Sequence, residues 1–406
     1  MSKRSIAVFT GNRAEYGLQF PILKAIDAHP DLDYRLIVSG AHLDPNFGRT
    51  LAEIEKDGFT VHAEVEIDLQ ADTLYATAQA IGTGVVSMGR ALERIRPDLL
   101  VVYADRFEAF AAVIAGTQMN VPTAHVEGGD VTEGGALDDS VRHAMTKLAH
   151  LHFTTNVQAT NRVLAMGEEP WRVHTVGFPA IDLIQAGNFA DLHEVQSRLG
   201  LDPTRPIVLF TQHSVTTEFD QAGEQLAPSL EALQSLAQGG TQVVATYPNN
   251  DAGGRRIIAA LERWPARGMP NVQVHRSLGR RLYHGVLAIA RNPSGRVACV
   301  GNSSSGIKET PAFGCPAVNV GSRQLGRLRA ENVIDVGYDA DAITSAVRRC
   351  LFDETFRASC RTVRNPYGLG DAGRKIANIL ADVAIEPVLL RKSMTLRGEM
   401  REGWYR

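Results

Sequence analysis

Short Val/Ile/Leu-rich runs recur along this chain, separated by longer stretches of helical composition, and no other feature limits the fold as strongly. One series reads Ile6–Phe9, Tyr34–Val38, Leu99–Tyr103, Thr123–Val126, His152–Thr154 and His174–Val176. A second reads Ile207–Phe210, Val243–Thr246, Val272–His275, Val297–Val300, Ala317–Val320 and Val333–Val336. Most runs lack the polar–apolar alternation of a half-exposed strand, which suits parallel strands covered on both faces. Segments such as Ala71–Arg96 and Glu218–Ala237 have helical composition between them. Strand–helix alternation of this kind predicts βαβ units and doubly wound α/β sheets.

Two such series predict two Rossmann-type halves, and 406 residues is the length of about two domains. The expected boundaries are residues 1–185, residues 186–370, and a C-terminal helix and tail over 371–406. The polar, Gly- and Pro-bearing stretch Ile181–Pro206 is the expected join. The helix is expected to run to about Val383, and the tail Arg391–Arg406 to be loosely ordered. Open α/β sheets bind ligands beyond the carboxyl ends of their strands. With two halves, the expected site is the cleft between them.

Composition narrows the function classes. Forty-two Lys+Arg against 45 Asp+Glu give a net charge of −3, so no global charge points to nucleic acid or to an acidic membrane surface. The apolar run Ile6–Phe9 is too brief for a signal sequence, and no run approaches the ~18 residues of a membrane helix. Cys299, Cys315, Cys350 and Cys360 form no CxxC pair and read as reduced thiols. The expectation is a soluble, cytoplasmic protein.

The residues just past the predicted strands carry the chemistry. Val297–Val300 runs into GNSSSGIKETPAFGCPAVNVGSRQLGR, which sets Ser303 and Ser304 before a predicted helix. Free backbone N–H groups at such a start favour a phosphate, although serine is also an ordinary cap. Glu309, about a turn further on, is placed to reach ribose hydroxyls, and Arg323 and Arg327 could neutralise a diphosphate; a solvated loop is the plainer reading of those arginines. The GK[ST] lysine of a Walker loop is absent. Gly11, Asn12 and Arg13 follow the first strand without GxGxxG, so a dinucleotide site is weakly supported; Arg13 is either a diphosphate contact or, with Glu15, turn decoration.

Asp105 follows Leu99–Tyr103, with Arg106 next to it, and Glu127 follows Thr123–Val126, with Asp130 beyond. A lone acid there would be a helix cap; several in one sheet mouth point to acid–base chemistry. In LDDSVRHAMTKLAHLHF, Asp138 and Arg142 share a helix face, as do Asp139 and His143. His143, His150 and His152 lack a zinc-ligand spacing, so no metal is expected. Gln212 and His213 lie just past the first strand of the second series, where a histidine would face the site.

Taken together, GNRAEYG, GAHLDPNFGRT, DRFEAFAA, HVEGGDVTEGGALDDSVRHAMTKLAHLHF, QHSVTTE, PNNDAG and the GNSSSG stretch resemble the hydrolysing UDP-N-acetylglucosamine 2-epimerases over roughly residues 5 to 380. The epimerase half of the mammalian bifunctional epimerase/kinase is a relative of that family. The resemblance implies a GT-B-like fold, no cofactor, and assembly as a homodimer or homotetramer. It implies a nucleotide-sugar substrate and a reaction in which the C2 proton is removed, UDP is eliminated to a 2-acetamidoglucal, and water adds with inversion to release N-acetylmannosamine. By the same resemblance Asp105, Glu127, Asp138 and His213 match catalytic positions. Arg13, Ser303, Ser304 and Arg323 match diphosphate-binding positions, Glu309 matches the ribose glutamate, Arg106 lies near the phosphates, and His42 touches substrate.

The chain departs from the family pattern in four places, one of them the segment TEGGALDD, which is longer than in some relatives. Ala104 stands where GDR is common, Ser214 replaces the proline of HPVTT, and Asp130 stands where glutamate is frequent. Competing expectations are the same reaction on UDP-2,4-diacetamido-2,4,6-trideoxyglucose or a GDP-linked sugar, a non-hydrolysing epimerase, a glycosyltransferase, and a non-catalytic nucleotide-sugar sensor.

Overall fold

The computed structural model describes residues 3–43, 51–67, 74–132, 136–249, 252–264, 271–395, 400–401 and 404–405. The chain forms two compact units. The first takes Met1–Asp130, Leu137–Asp182 and Gly370–Arg406; the second takes Val131–Ala136 and Leu183–Leu369. No helix among the described residues is long and apolar enough to cross a membrane.

The first unit is built on seven parallel strands: β1 (Arg4–Thr10), β2 (Leu32–Ser39), β3 (Val61–Val65), β4 (Leu99–Tyr103), β5 (Thr123–Val126), β6 (Leu151–Thr154) and β7 (Val173–Thr175), in the order β3-β2-β1-β4-β5-β6-β7. The second has six: β8 (Ile207–Thr211), β9 (Gln242–Thr246), β10 (Val272–His275), β11 (Val297–Gly301), β12 (Ala317–Val320) and β13 (Val333–Val336), in the order β10-β9-β8-β11-β12-β13. Every residue of β4, β5, β8, β9 and β11 is buried, as the continuous apolar runs require. Apolar clusters cover both faces of each sheet.

The strand order reverses between β1 and β4 in one sheet and between β8 and β11 in the other. At such a switch point the connections leave in opposite directions and open a crevice beyond the carboxyl ends. At the second crevice the backbone itself crosses closely. Gly301 sits at φ +124°, and a Cβ there would lie 2.0 Å from the Thr211 carbonyl oxygen, so only glycine fits.

Two expectations are corrected. Strand β3 was not expected: its sequence VHAEV alternates, with Glu64 exposed, because it is the sheet's edge and carries no continuous apolar run. The two units divide at Asp182 and Leu183, inside the stretch Ile181–Pro206, most of which belongs to the second unit. That stretch holds helices Ala180–Gln185 and Leu192–Leu199, and Ile184, Ala190, Val195 and Leu199 are buried in the second unit's core. The second correction concerns the tail, whose start is not loose. The Arg172 guanidinium, fully buried, donates to the carbonyls of Val388 and Leu389 at 2.7 Å and of Arg391 at 3.0 Å. Lys392 Nζ pairs with the buried Glu168 at 2.8 Å. Before it, Asp182 accepts from the N–H groups of Ala372 (3.0 Å) and Gly373 (2.7 Å), so its carboxylate anchors the start of helix Ala372–Asp382.

Candidate functional site

In the first unit the carboxyl ends of β4 and β5 gather around one buried guanidinium. Arg142, on helix Ala136–Leu148, is 3% exposed and pairs with Asp105. It also donates to Asp139 Oδ1 at 2.8 Å and to the Asp130 carbonyl at 2.9 Å. Burial opposes its charge, but the carboxylates of Asp105, Asp130, Glu127 and Asp139 outweigh burial and hold it protonated. Asp105 is therefore not a helix cap. Arg106 is the cap residue of helix Phe107–Gln118, without a capping side chain. The helix-face expectation shifts by one residue. Asp139 faces the sheet mouth and meets Arg142, whereas Asp138 is exposed and acts on Arg106 through charge.

The backbone entering this cluster is unusual. Ala104 (φ +55°) and Glu127 (φ +67°) both occupy the left-handed region, at the ends of neighbouring strands. The family's glycine at the Ala104 position now has a physical reading, since an L-residue there costs about 1 kcal/mol or more. His125 holds the turn, with Nε2 2.7 Å from the Ala104 carbonyl oxygen and Nδ1 3.1 Å from the Thr146 hydroxyl. Burial lowers its pKa to about 3, so the ring stays neutral.

A second carboxylate pair lies at the β1–β4 switch point, and sequence reasoning passed over it. Glu15 and Glu108 are 4% and 2% exposed. Each sits in the first turn of the helix after its strand, where an acid reads as a complement to the helix dipole. Glu15 accepts from the Gly11 N–H (3.2 Å) and Gln19 Nε2 (2.9 Å). Burial and then Glu108 raise the Glu15 pKa well above the usual range. Burial also raises that of Glu108, against Arg106, whose Nε lies 3.5 Å from Glu108 Oε2. Of the remaining candidates, His42 is fully buried, with Nε2 3.1 Å from the Thr10 hydroxyl. Arg13 is exposed and donates to Glu53 at 2.9 Å. Most of the GAHLDPNFGRT loop (residues 44–50), Glu133–Gly135, and Asn250 and Asp251 of PNNDAG lie outside the described residues.

In the second unit the hub is Asn302, which sequence reasoning quoted but gave no role. Its Oδ1 accepts from the His213 N–H at 2.6 Å and its Nδ2 donates to the His213 carbonyl at 2.8 Å. Its own carbonyl accepts from Gln324 Nε2 (2.8 Å) and Arg323 (3.3 Å). Its side chain therefore latches the turn after β8 to the end of β11. The available signal was its place: an amide directly after a buried strand at a sheet's switch point. His213 Nδ1 lies 3.0 Å from the Asn249 backbone nitrogen and 3.1 Å from Asn249 Oδ1. Burial, then the Arg323 charge, lower the His213 pKa to about 3. His213 is thus neutral.

The serine stretch differs from expectation in one respect. Its helix is only Ser305–Lys308, followed after Glu309 by a second one-turn helix, Thr310–Phe313, because Pro311 has no N–H to continue the first helix's ladder. A helix so short supplies little dipole. No serine side chain caps it, and the Ser303 hydroxyl accepts only a long 3.4 Å bond from the Ser305 N–H. Plain capping therefore accounts for little of this stretch. Glu309 Oε2 sits 2.7 Å from His284 Nε2 and accepts from the Ser305 hydroxyl at 3.0 Å. Burial opposes its ionisation, but these partners keep its pKa below the usual range. Arg327 is neither solvated nor a free cation. Nearly buried, it donates to the Val131 carbonyl (2.6 Å), the Thr132 hydroxyl (2.8 Å) and Gln324 Oε1 (2.8 Å).

Comparison with known proteins agrees with this layout. The profile of the UDP-N-acetylglucosamine 2-epimerase family matches residues 24–381, and the chain belongs to that family. It is 32% identical over 389 residues to the UDP-N,N'-diacetylbacillosamine 2-epimerase (hydrolyzing) of Legionella pneumophila, covering 96% of this chain and 98% of that one. It is 30% identical over 358 residues to the UDP-N-acetylglucosamine 2-epimerase of Neisseria meningitidis, covering 87% and 89%. The crystal structure of UDP-GlcNAc 2-epimerase from Neisseria meningitidis bound to UDP-GlcNAc shares the fold, with TM-score 0.77, 17% identity, and coverage of 93% of this chain and 99% of that one. The GT-B-like α/β class with two parallel-sheet units holds.

Proposed function

We propose that the protein is a hydrolysing 2-epimerase of a UDP-linked 2-acetamido sugar, converting UDP-N-acetylglucosamine to N-acetylmannosamine and UDP. The observation that carries this reading is the cluster of Asp105, Glu127, Asp130 and Asp139 around Arg142 at the ends of β4 and β5, in a chain of this family. The C2 proton is weakly acidic, so a general base must stand ready in a fixed position. A carboxylate of the first unit, from the set Asp105, Glu127 and Asp138, takes that proton. The C2 electron pair forms the C1=C2 double bond, and the C1–O bond breaks with its electrons leaving on UDP. Water then gives its hydroxyl to C1, and a proton returns to C2 from the opposite face. The second unit holds the leaving group: Arg323 offsets diphosphate charge, Ser303, Ser304 and His213 donate, and Glu309 accepts from ribose hydroxyls.

A second reading keeps the reaction and changes the sugar to the UDP-linked 2,4-diacetamido-2,4,6-trideoxy hexose. The Legionella pneumophila relative, named for that substrate and matched over 96% of this chain, favours it. Parallel turnover assays with the two nucleotide sugars, monitored by UDP release, separate the readings. The preferred substrate is expected to lead in kcat/KM by at least tenfold. UDP release from neither would contradict both. Asp105→Asn is expected to abolish release while the protein still binds UDP.

A further inference from the structure

A cavity of the second unit lies away from His213 and Ser303. It encloses about 820 Å³, within the range of small-molecule sites, and is formed by the chain entering β8 (Pro203, Thr204) and β11 (Asn292–Arg296). It therefore opens at the amino ends of those strands. The candidate nucleotide groups stand at the carboxyl ends, about five residues or ~17 Å further along.

The lining has a consistent chemistry. Ala190, Gly285, Ala288 and Ile289 make an apolar wall of mostly small side chains, which leaves room for a flat body. Both carboxylates of the lining are already engaged. Asp191 caps helix Leu192–Leu199 by accepting from the Glu194 N–H at 2.7 Å, and Glu354 pairs with Arg357 at 2.7 Å. Two lining cations remain, Arg291 and Arg296, and neither has a carboxylate partner among the described residues. Arg291 is held in place: its guanidinium lies 5.1 Å from the ring centres of both Phe189 and Phe313, and one nitrogen donates to the Ala312 carbonyl at 3.2 Å. Arg296 lies 5.7 Å from the Phe352 ring centre. An exposed guanidinium braced by two rings, Arg291, and a second, Arg296, both with unused donors beside an apolar wall, suit an anion attached to a flat, apolar body.

We propose that this cavity is a second ligand site that takes a planar organic anion, a carboxylate or phosphate on a ring. The site does not depend on the epimerase reading, and the two are measured apart. The probe is phenyl phosphate, titrated calorimetrically into the full chain with UDP present to fill the nucleotide site. The expected result is one saturable site, with affinity at least tenfold lower in the Arg291→Gln/Arg296→Gln double variant. Phenol and inorganic phosphate should each bind at least tenfold more weakly than the probe. Ala288→Phe, which fills the wall and keeps both arginines, should abolish probe binding and leave UDP affinity unchanged. No binding of phenyl phosphate at millimolar concentration would overturn the proposal. So would an affinity unchanged in the folded double variant or in Ala288→Phe, or inorganic phosphate binding as well as the probe.

Discussion

The two sheet mouths of this protein manage charge in opposite ways. In the first unit, acids converge on a buried arginine, and much of the electrostatics is satisfied within the protein. In the second, a neutral histidine, serine hydroxyls, Arg323 and one carboxylate present donors and an acceptor held by an amide hub. On the proposed function, the first arrangement holds and places protons. The second is complementary to a ligand that brings its own negative charge. Removing a charge should therefore cost the first mouth stability and the second mouth affinity.

The largest effect should follow Arg142→Met. Losing one partner of a buried pair leaves uncompensated carboxylates, at about 3–5 kcal/mol. A urea melt should show that loss, whereas Arg323→Met should cost under about 1 kcal/mol, because Arg323 is partly exposed and its charge is screened by solvent. Equal losses in the two variants would break the contrast. Next in size is Glu309→Gln, expected to weaken UDP binding by about tenfold or more, the worth of a charge-assisted hydrogen bond, with a near-native melting temperature. Unchanged UDP affinity would remove Glu309 from the ribose role.

Asn302→Ala should misplace the His213 turn and lower kcat by about 10–100-fold, with a smaller change in KM. An effect on stability alone would reduce Asn302 to a packing residue. Acid titration sharpens the comparison further. His125 in the first unit and His213 in the second both have pKa values lowered to about 3, against about 6.5 unfolded. Below pH ~6.5 the unfolded chain binds protons that the folded chain refuses, so stability present above that pH is lost progressively toward pH 3. His125→Asn and His213→Asn should each flatten that slope in denaturant melts followed from pH 7 to 4. The smallest effect belongs to Ala104→Gly. It relieves a left-handed residue but loosens the unfolded chain, for a net gain within about 1 kcal/mol.

Much of the fold was legible because parallel strands buried on both faces announce themselves as apolar runs; β3, an edge strand, does not. Asp105 and Glu127 were legible because strand ends are where such sheets place chemistry. Glu15 and Glu108 were not: an acid in a helix's first turn has a local electrostatic reason to be there, and only the tertiary structure buries it. Asn302 was hidden for a related reason, since its partners at residue 213 lie 89 positions away in sequence. The opposite error arose at Arg391–Thr395, where a polar composition hid backbone carbonyls and a lysine tied to Arg172 and Glu168.

The central claim is that the acids of the first unit break the C2–H bond while the second unit retains the nucleotide leaving group. The most direct measurement is proton NMR of the enzyme with UDP-N-acetylglucosamine in deuterated water, repeated with the UDP-linked diacetamido trideoxy sugar. The expected result is free UDP together with a released 2-epimer carrying deuterium at C2 from one of the two substrates. A 2-epimer still linked to UDP, or a released sugar that keeps its C2 proton, would contradict it.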